Sequence, residues 1–130
     1  MKSLDQMHRD FGAFYPTGHM VVAFQDEADA IKIQNELKSQ GQVFADTTMV
    51  SSELMTEFAR KNLTEASFIA DLGTSVLTVQ SFLDAARKGA TFLIVATPNN
   101  EAAERVSVAI HHVSFVLAER YHILAIESVS

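Results

Sequence analysis

Two segments 73 residues apart constrain this chain most: His19-Met20-Val21-Val22-Ala23-Phe24 and Phe92-Leu93-Ile94-Val95-Ala96. Side chains along a strand point alternately to opposite faces of a sheet. A strand that is apolar on both alternations must therefore be covered on both sides. The residues after each segment repeat as well. The same shift carries Ala30, Ile33 and Leu37 onto Ala103, Val106 and Ile110, an apolar stripe at helical spacing in both places. It also carries Val43-Phe44 onto Val116-Leu117. Strand, turn, helix and returning strand thus occur twice in one register.

Local signals place the ends of these elements. Asp26 is a helix N-cap, with Glu27 and Asp29 in the first turn, where negative charge is favourable. Gly41 stands where a helix C′ residue would. The more polar run from Val43 to Val50 reads as a strand nearer an edge. In the second half, Pro98-Asn99-Asn100 begins a helix capped by Thr97 or Asn99. Phe115 to Glu127 contains no Gly, Pro, Asn or Asp and is rich in β-branched and aromatic residues. It reads as one long bent strand, or two short ones broken near Glu119-Arg120-Tyr121.

Two β-α-β units of this size predict an α+β fold, a ferredoxin-like sandwich with a helical insertion between its halves. The 130 residues fit one domain. Within it, 1–17 form an irregular leader, 18–50 the first unit, 51–89 the insertion and 90–127 the second unit. The insertion opens at Ser51 or Ser52, with Leu54, Met55, Phe58 and Ala59 on an apolar face. A short helical turn around Phe68-Ile69-Ala70 comes next, then a break at Gly73. A second helix, capped by Thr74 or Ser75, carries Val79, Phe82, Leu83 and Ala86 before Arg87-Lys88-Gly89 closes it. A ferredoxin-like sheet packs its own helices on one face only. The other face must be covered by the inserted helices, a partner subunit or both, since a bare one would be a large apolar patch. The expected assembly is a homodimer, with the sheet face or an edge strand contributing.

Composition removes several function classes. No cysteine is present, which excludes disulfides, thiol nucleophiles and cysteine-based zinc sites and fits a cytoplasmic location. The formal net charge of −6 repels nucleic acid and anionic membranes. Arg60-Lys61 and Arg87-Lys88 are isolated pairs at helix ends. Met1 to Phe14 lacks the apolar core of a secretory signal, and Phe92 to Ala96 is far too short to cross a bilayer.

No residue set forms a catalytic, metal or cofactor signature. His111-His112 are adjacent at a helix end and point about 100° apart, unlike a same-face zinc pair. His19 and His122 would have to converge on them from elsewhere. Asp26, Glu27 and Asp29 form an acidic group, but Glu101 and Glu104 take the same place in the second unit, which marks helix-start chemistry. There is no G-x-S-x-G and no glycine-rich phosphate loop. Lys88-Gly89-Ala90-Thr91-Phe92-Leu93-Ile94-Val95 partly matches the RNA-recognition strand motif. Ala90 and Val95, however, replace two of the aromatics on which bases stack. Thr17-Gly18-His19, after Pro16, is the one short candidate for a ligand turn; it serves equally as the turn into the first strand.

Tyr15-Pro16-Thr17-Gly18-His19, the run from Ala86 to Val95, and Glu101-Ala102-Ala103-Glu104-Arg105-Val106 resemble a family of short uncharacterised bacterial proteins associated with general stress. The resemblance spans about Tyr15 to Glu127 and implies no activity, cofactor or catalytic residue. A small residue or Gly near His122 is expected in such relatives and is absent here. The expectation is a cytoplasmic, non-enzymatic, homodimeric interaction or regulatory domain without a cofactor, whose partner is a protein or small molecule. The alternatives are a nucleic-acid-binding domain and a small-metabolite-binding regulatory domain.

Overall fold

The computed structural model describes residues 18–40, 47–64, 76–121 and 126–129. Among these the chain runs β1 (His19–Phe24), α1 (Glu27–Ser39), β2 (Thr47–Val50), α2 (Ser52–Thr64), α3 (Val76–Arg87), β3 (Thr91–Ala96), α4 (Asn100–Ile110), β4 (Leu117–Tyr121) and β5 (Ile126–Ser128). The fold is α+β. One antiparallel sheet has the order β2-β3-β1-β4-β5. The leader 1–17, Gly41, Val43-Phe44, Phe68-Ile69-Ala70, Gly73, Thr74, Ser75 and His122 lie outside the described residues.

The doubly apolar strands sit at the centre of the sheet and are covered on both sides. Met20, Val22, Phe24, Leu93 and Val95 face one core with Ala30, Ile33 and Leu37 of α1 and Ala103, Val106, Ala109 and Ile110 of α4. Val21, Ala23, Phe92 and Ile94 face the other, beneath Met55, Phe58 and Ala59 of α2 and Phe82, Leu83, Ala85 and Ala86 of α3. The inserted helices therefore cover the second face from within the chain. The need for a partner subunit over that part of the face disappears. Burying each of these large side chains contributes about 1.5–3 kcal/mol, so the insertion is part of the core rather than an appendage.

The repeat holds in three dimensions, with one correction. Val21 pairs with Ile94, its own counterpart 73 residues on, as a two-fold axis through the sheet requires. The caps obey the same shift: Asp26 accepts from the Ala28 amide, and Asn99, not Thr97, accepts from the Ala102 amide. The returning strand does not. Met49 pairs with Leu93, whose equivalent is Met20; Met20 pairs with Arg120, an offset of 71 from Met49. The shortening lies in the helix, since α1 has 13 residues and α4 has 11. The C-caps Gln40 and His111 are likewise 71 apart. The described strand Thr47–Val50 thus matches β4 at an offset of 71 rather than 73. An even slip keeps every side chain on its own face, which is why Val50 and Tyr121 still point into the same core.

The last segment is two strands, the second of the two readings: β4 ends at Tyr121 and β5 begins at Ile126. Glu119, Arg120 and Tyr121 are the residues that pair with β5, opposite Ser128, Glu127 and Ile126. They must stay extended, and the chain reverses after them. In the insertion, Ser51 is the cap of α2, its Oγ accepting from the Leu54 amide at 3.1 Å. Phe82, Leu83 and Ala86 are buried as expected. The side chain of Val79 is outside the described residues. Among them, no helix is long and apolar enough to cross a membrane.

Candidate functional site

Of the Thr17-Gly18-His19 candidate, Gly18 and His19 lie at the start of β1. Gly18 adopts φ +78°, a conformation open to Gly and strained for other residues. Its N–H donates to the Tyr121 carbonyl at 3.0 Å, and its carbonyl accepts from Thr97 N–H at 2.8 Å. Both backbone groups thereby tie β1 to the ends of β3 and β4. His19 opens β1 opposite Ala96 and is half-buried. Thr17 is outside the described residues. What is visible of this turn delivers the chain into its first strand.

Several other chemistry-bearing residues are engaged locally. His111 caps α4, with Nδ1 at the Ser107 carbonyl and its ring edge-on to Phe115 at 5.2 Å. His112 turns away to Glu36 of α1, at 3.1 Å. Glu101 pairs with Arg105 one helical turn on, at 2.6 Å. Among the described residues, no three His, Asp or Glu side chains gather into a metal-holding group. Phe92 of the RNA-type motif is fully buried, with the Phe82 ring edge-on at 5.8 Å. A base cannot stack on it, so that mode of nucleic-acid recognition is closed at β3. Lys88 and Gly89 follow the end of α3; the Gly89 N–H donates to the Ala86 carbonyl, and φ +87° at Gly89 turns the Ala90 N–H back to the Ala85 carbonyl at 3.0 Å.

A polar groove of about 520 Å³ opens at one end of the sheet, where β1 leads into α1, β2 into α2, and β3 begins. Gln25, Asp26 and Glu27 line it from the first turn, Ser51, Ser52 and Glu53 from the second, and Gly89 and Thr91 from the third. The N-termini of α1 and α2 both reach it. Asp26 Oδ1 caps the Ala28 amide at 2.9 Å, and Gln25 Nε2 donates to the Lys88 carbonyl at 2.8 Å, fixing one wall to the other. Thr91 is 8% exposed. Its backbone belongs to the β1–β3 ladder opposite Phe24. Sequence alone marks Asp26, Glu27, Ser51 and Ser52 as helix-start residues and does not bring them together with Gln25, Glu53 and Thr91. The signal for the groove was small: Thr91 is the one polar residue opening an otherwise apolar strand.

The geometry offers carboxylates, hydroxyls and an amide in one open groove, with no histidine among its lining residues. That set can hold a polar or cationic group by charge and hydrogen bonding. No protein-family model, no curated protein and no solved structure matches this chain.

Proposed function

We propose that this chain is a non-enzymatic interaction or regulatory domain with a ferredoxin-like core, acting as a homodimer in the cytoplasm. The observation that carries the reading is the engagement of its singled-out side chains in structural contacts. Asp26, Ser51 and Asn99 cap helices, Glu101 pairs with Arg105, and His112 joins α4 to α1. A catalyst needs titratable groups converging in a cleft on a reacting atom; Asp26 and Ser51 share a groove, but Asn99, Glu101 and His112 stand away from it. Two β-α-β units around an antiparallel sheet support the ferredoxin-like description, while β5 and the helices on the second face depart from it. The resemblance to general-stress-associated bacterial proteins extends the proposal to a stress response.

With both faces of the central strands covered, an edge strand, β2 or β5, is the element through which a second copy would extend the sheet, and we take β2. Among the described residues it pairs only with β3. Sedimentation equilibrium tests this directly. The expected result is a dimer in the micromolar range that Thr48→Lys weakens, because charge on an edge strand opposes edge-to-edge pairing. A monomer at all concentrations would overturn the dimeric reading.

A further inference from the structure

We propose that the groove between α4 and β4 is a binding site for a small zwitterion, an α-amino acid with an apolar side chain. The proposal rests on the reading of the chain as a binding domain and names its ligand class.

The internal repeat shows how the groove arises. In the first unit Gln34 of α1 donates from Nε2 to Thr47 Oγ1 of β2 at 2.9 Å, and Met49 packs against the core. The counterparts in the second unit are Ser107, Ala118 and Arg120. Ser107 is shorter than Gln34, and Ala118 has no hydroxyl to accept its bond. An arginine takes the place of the methionine, directly opposite the fully buried Met20. Where α1 is tied to β2, a groove of about 420 Å³ opens between α4 and β4.

Its lining sets two opposite charges beside an apolar surface. Arg120 Nη1 donates to Asn100 Oδ1 at 2.8 Å, which fixes the guanidinium at the groove. Glu104 stands on the α4 wall, where the first unit has the apolar Ile31. The acidic residue in the first turn of α4 is Glu101, so favourable charge at a helix end does not account for Glu104. Among the described residues, no other charged side chain lines the groove. Met20, Ala103 and Val129 supply its apolar surface. A lone anion would meet Glu104, and a lone cation Arg120. A zwitterion offers each its opposite: its carboxylate pairs with the guanidinium, and its ammonium with Glu104. An apolar ligand side chain then lies on Met20, Ala103 and Val129.

The test is an amide chemical-shift titration of the full chain with L-leucine. Leucinamide keeps the ammonium without the carboxylate, and 4-methylpentanoate keeps the carboxylate without the ammonium. Saturable shifts with leucine, confined to residues 20, 100–107, 118–121 and 129, are the expected result. Either analogue should bind about tenfold more weakly, because each loses one charge-assisted hydrogen bond. Arg120→Met copies the first unit and should abolish saturation. Glu104→Gln changes an exposed side chain; it should weaken binding about tenfold and serves if Arg120→Met does not fold. No saturable shift with leucine, equal affinity for either analogue, or undiminished binding by either variant would overturn the site. None of those outcomes bears on the dimer measured by sedimentation, so the two readings fail separately.

Discussion

Val21 lies directly opposite Ile94 at the middle of the β1–β3 ladder, and the two are also counterparts in the internal repeat. Both point into the core beneath α2 and α3. The pair therefore sits where the pseudo-two-fold axis crosses the sheet. Directly opposed side chains in an antiparallel pair interact by about 0.2–1 kcal/mol, and residues in contact couple by about 0.5 kcal/mol or more in double-mutant cycles. Ile94→Ala should cost about 2–5 kcal/mol. Combined with Val21→Ala, the loss should depart from the sum of the single changes. Urea unfolding of the two single variants and the double variant measures this; strict additivity would show that the pair does not act as a unit.

The two caps provide a matched comparison. Asp26 and Asn99 occupy equivalent positions, and each accepts one orphan amide at the start of its helix, from Ala28 and Ala102. Asp26→Ala and Asn99→Ala should each destabilise by about 1 kcal/mol. Asn99→Asp should be neutral or slightly stabilising, because a negative charge at a helix N-terminus is favourable. Thermal unfolding reads all three. An effect at one cap without the other would mean that the repeat does not extend to helix initiation.

Much of the architecture was readable because central strands buried on two sides leave a sequence signal that few other elements leave. The stripes of α1 and α4 were readable for the same reason, from one apolar face at helical period. The two-residue shortening of α4 was not. A slip of two leaves strand alternation unchanged, so the pattern of residues 116–121 fits either register. The coverage of the second face was legible only as a necessity: an apolar strand requires a cover without saying which one. The groove was least legible. Gln25, Glu53 and Thr91 come from three segments, and each has a sufficient local explanation until the sheet brings them together.

Gly18 and Gly89 both hold positive φ, at +78° and +87°, just before central strands. A Cβ on Gly18 would meet nothing within 4 Å, and one on Gly89 only Gln25 Nε2 at 4.0 Å. Substitution costs here come from the backbone rather than from collision. Gly18→Ala and Gly89→Ala should each destabilise by about 1–2 kcal/mol. The Asn variants should lose less, since Asn tolerates the left-handed region. Urea unfolding of the four variants separates this from steric exclusion, under which the larger Asn would do more harm than Ala.

Phe82 of α3 and Phe92 of β3 bind the insertion to the repeat. Their rings meet edge-on, 5.8 Å apart, and both are fully buried. If the insertion is part of one cooperative core, Phe82→Ala should cost about 3–5 kcal/mol, a large share of the roughly 5–15 kcal/mol that holds a domain folded. The loss should appear everywhere. Hydrogen exchange at the amides of Val21 and Ile94 should accelerate by the factor that corresponds to the global loss, and unfolding should remain a single transition. Phe82→Leu removes less volume and keeps the measurement readable if the alanine variant does not fold. Were the insertion a separate layer, exchange would quicken in α2 and α3 while β1 and β3 kept their protection. That outcome would break the link between covering the second face and holding the central strands.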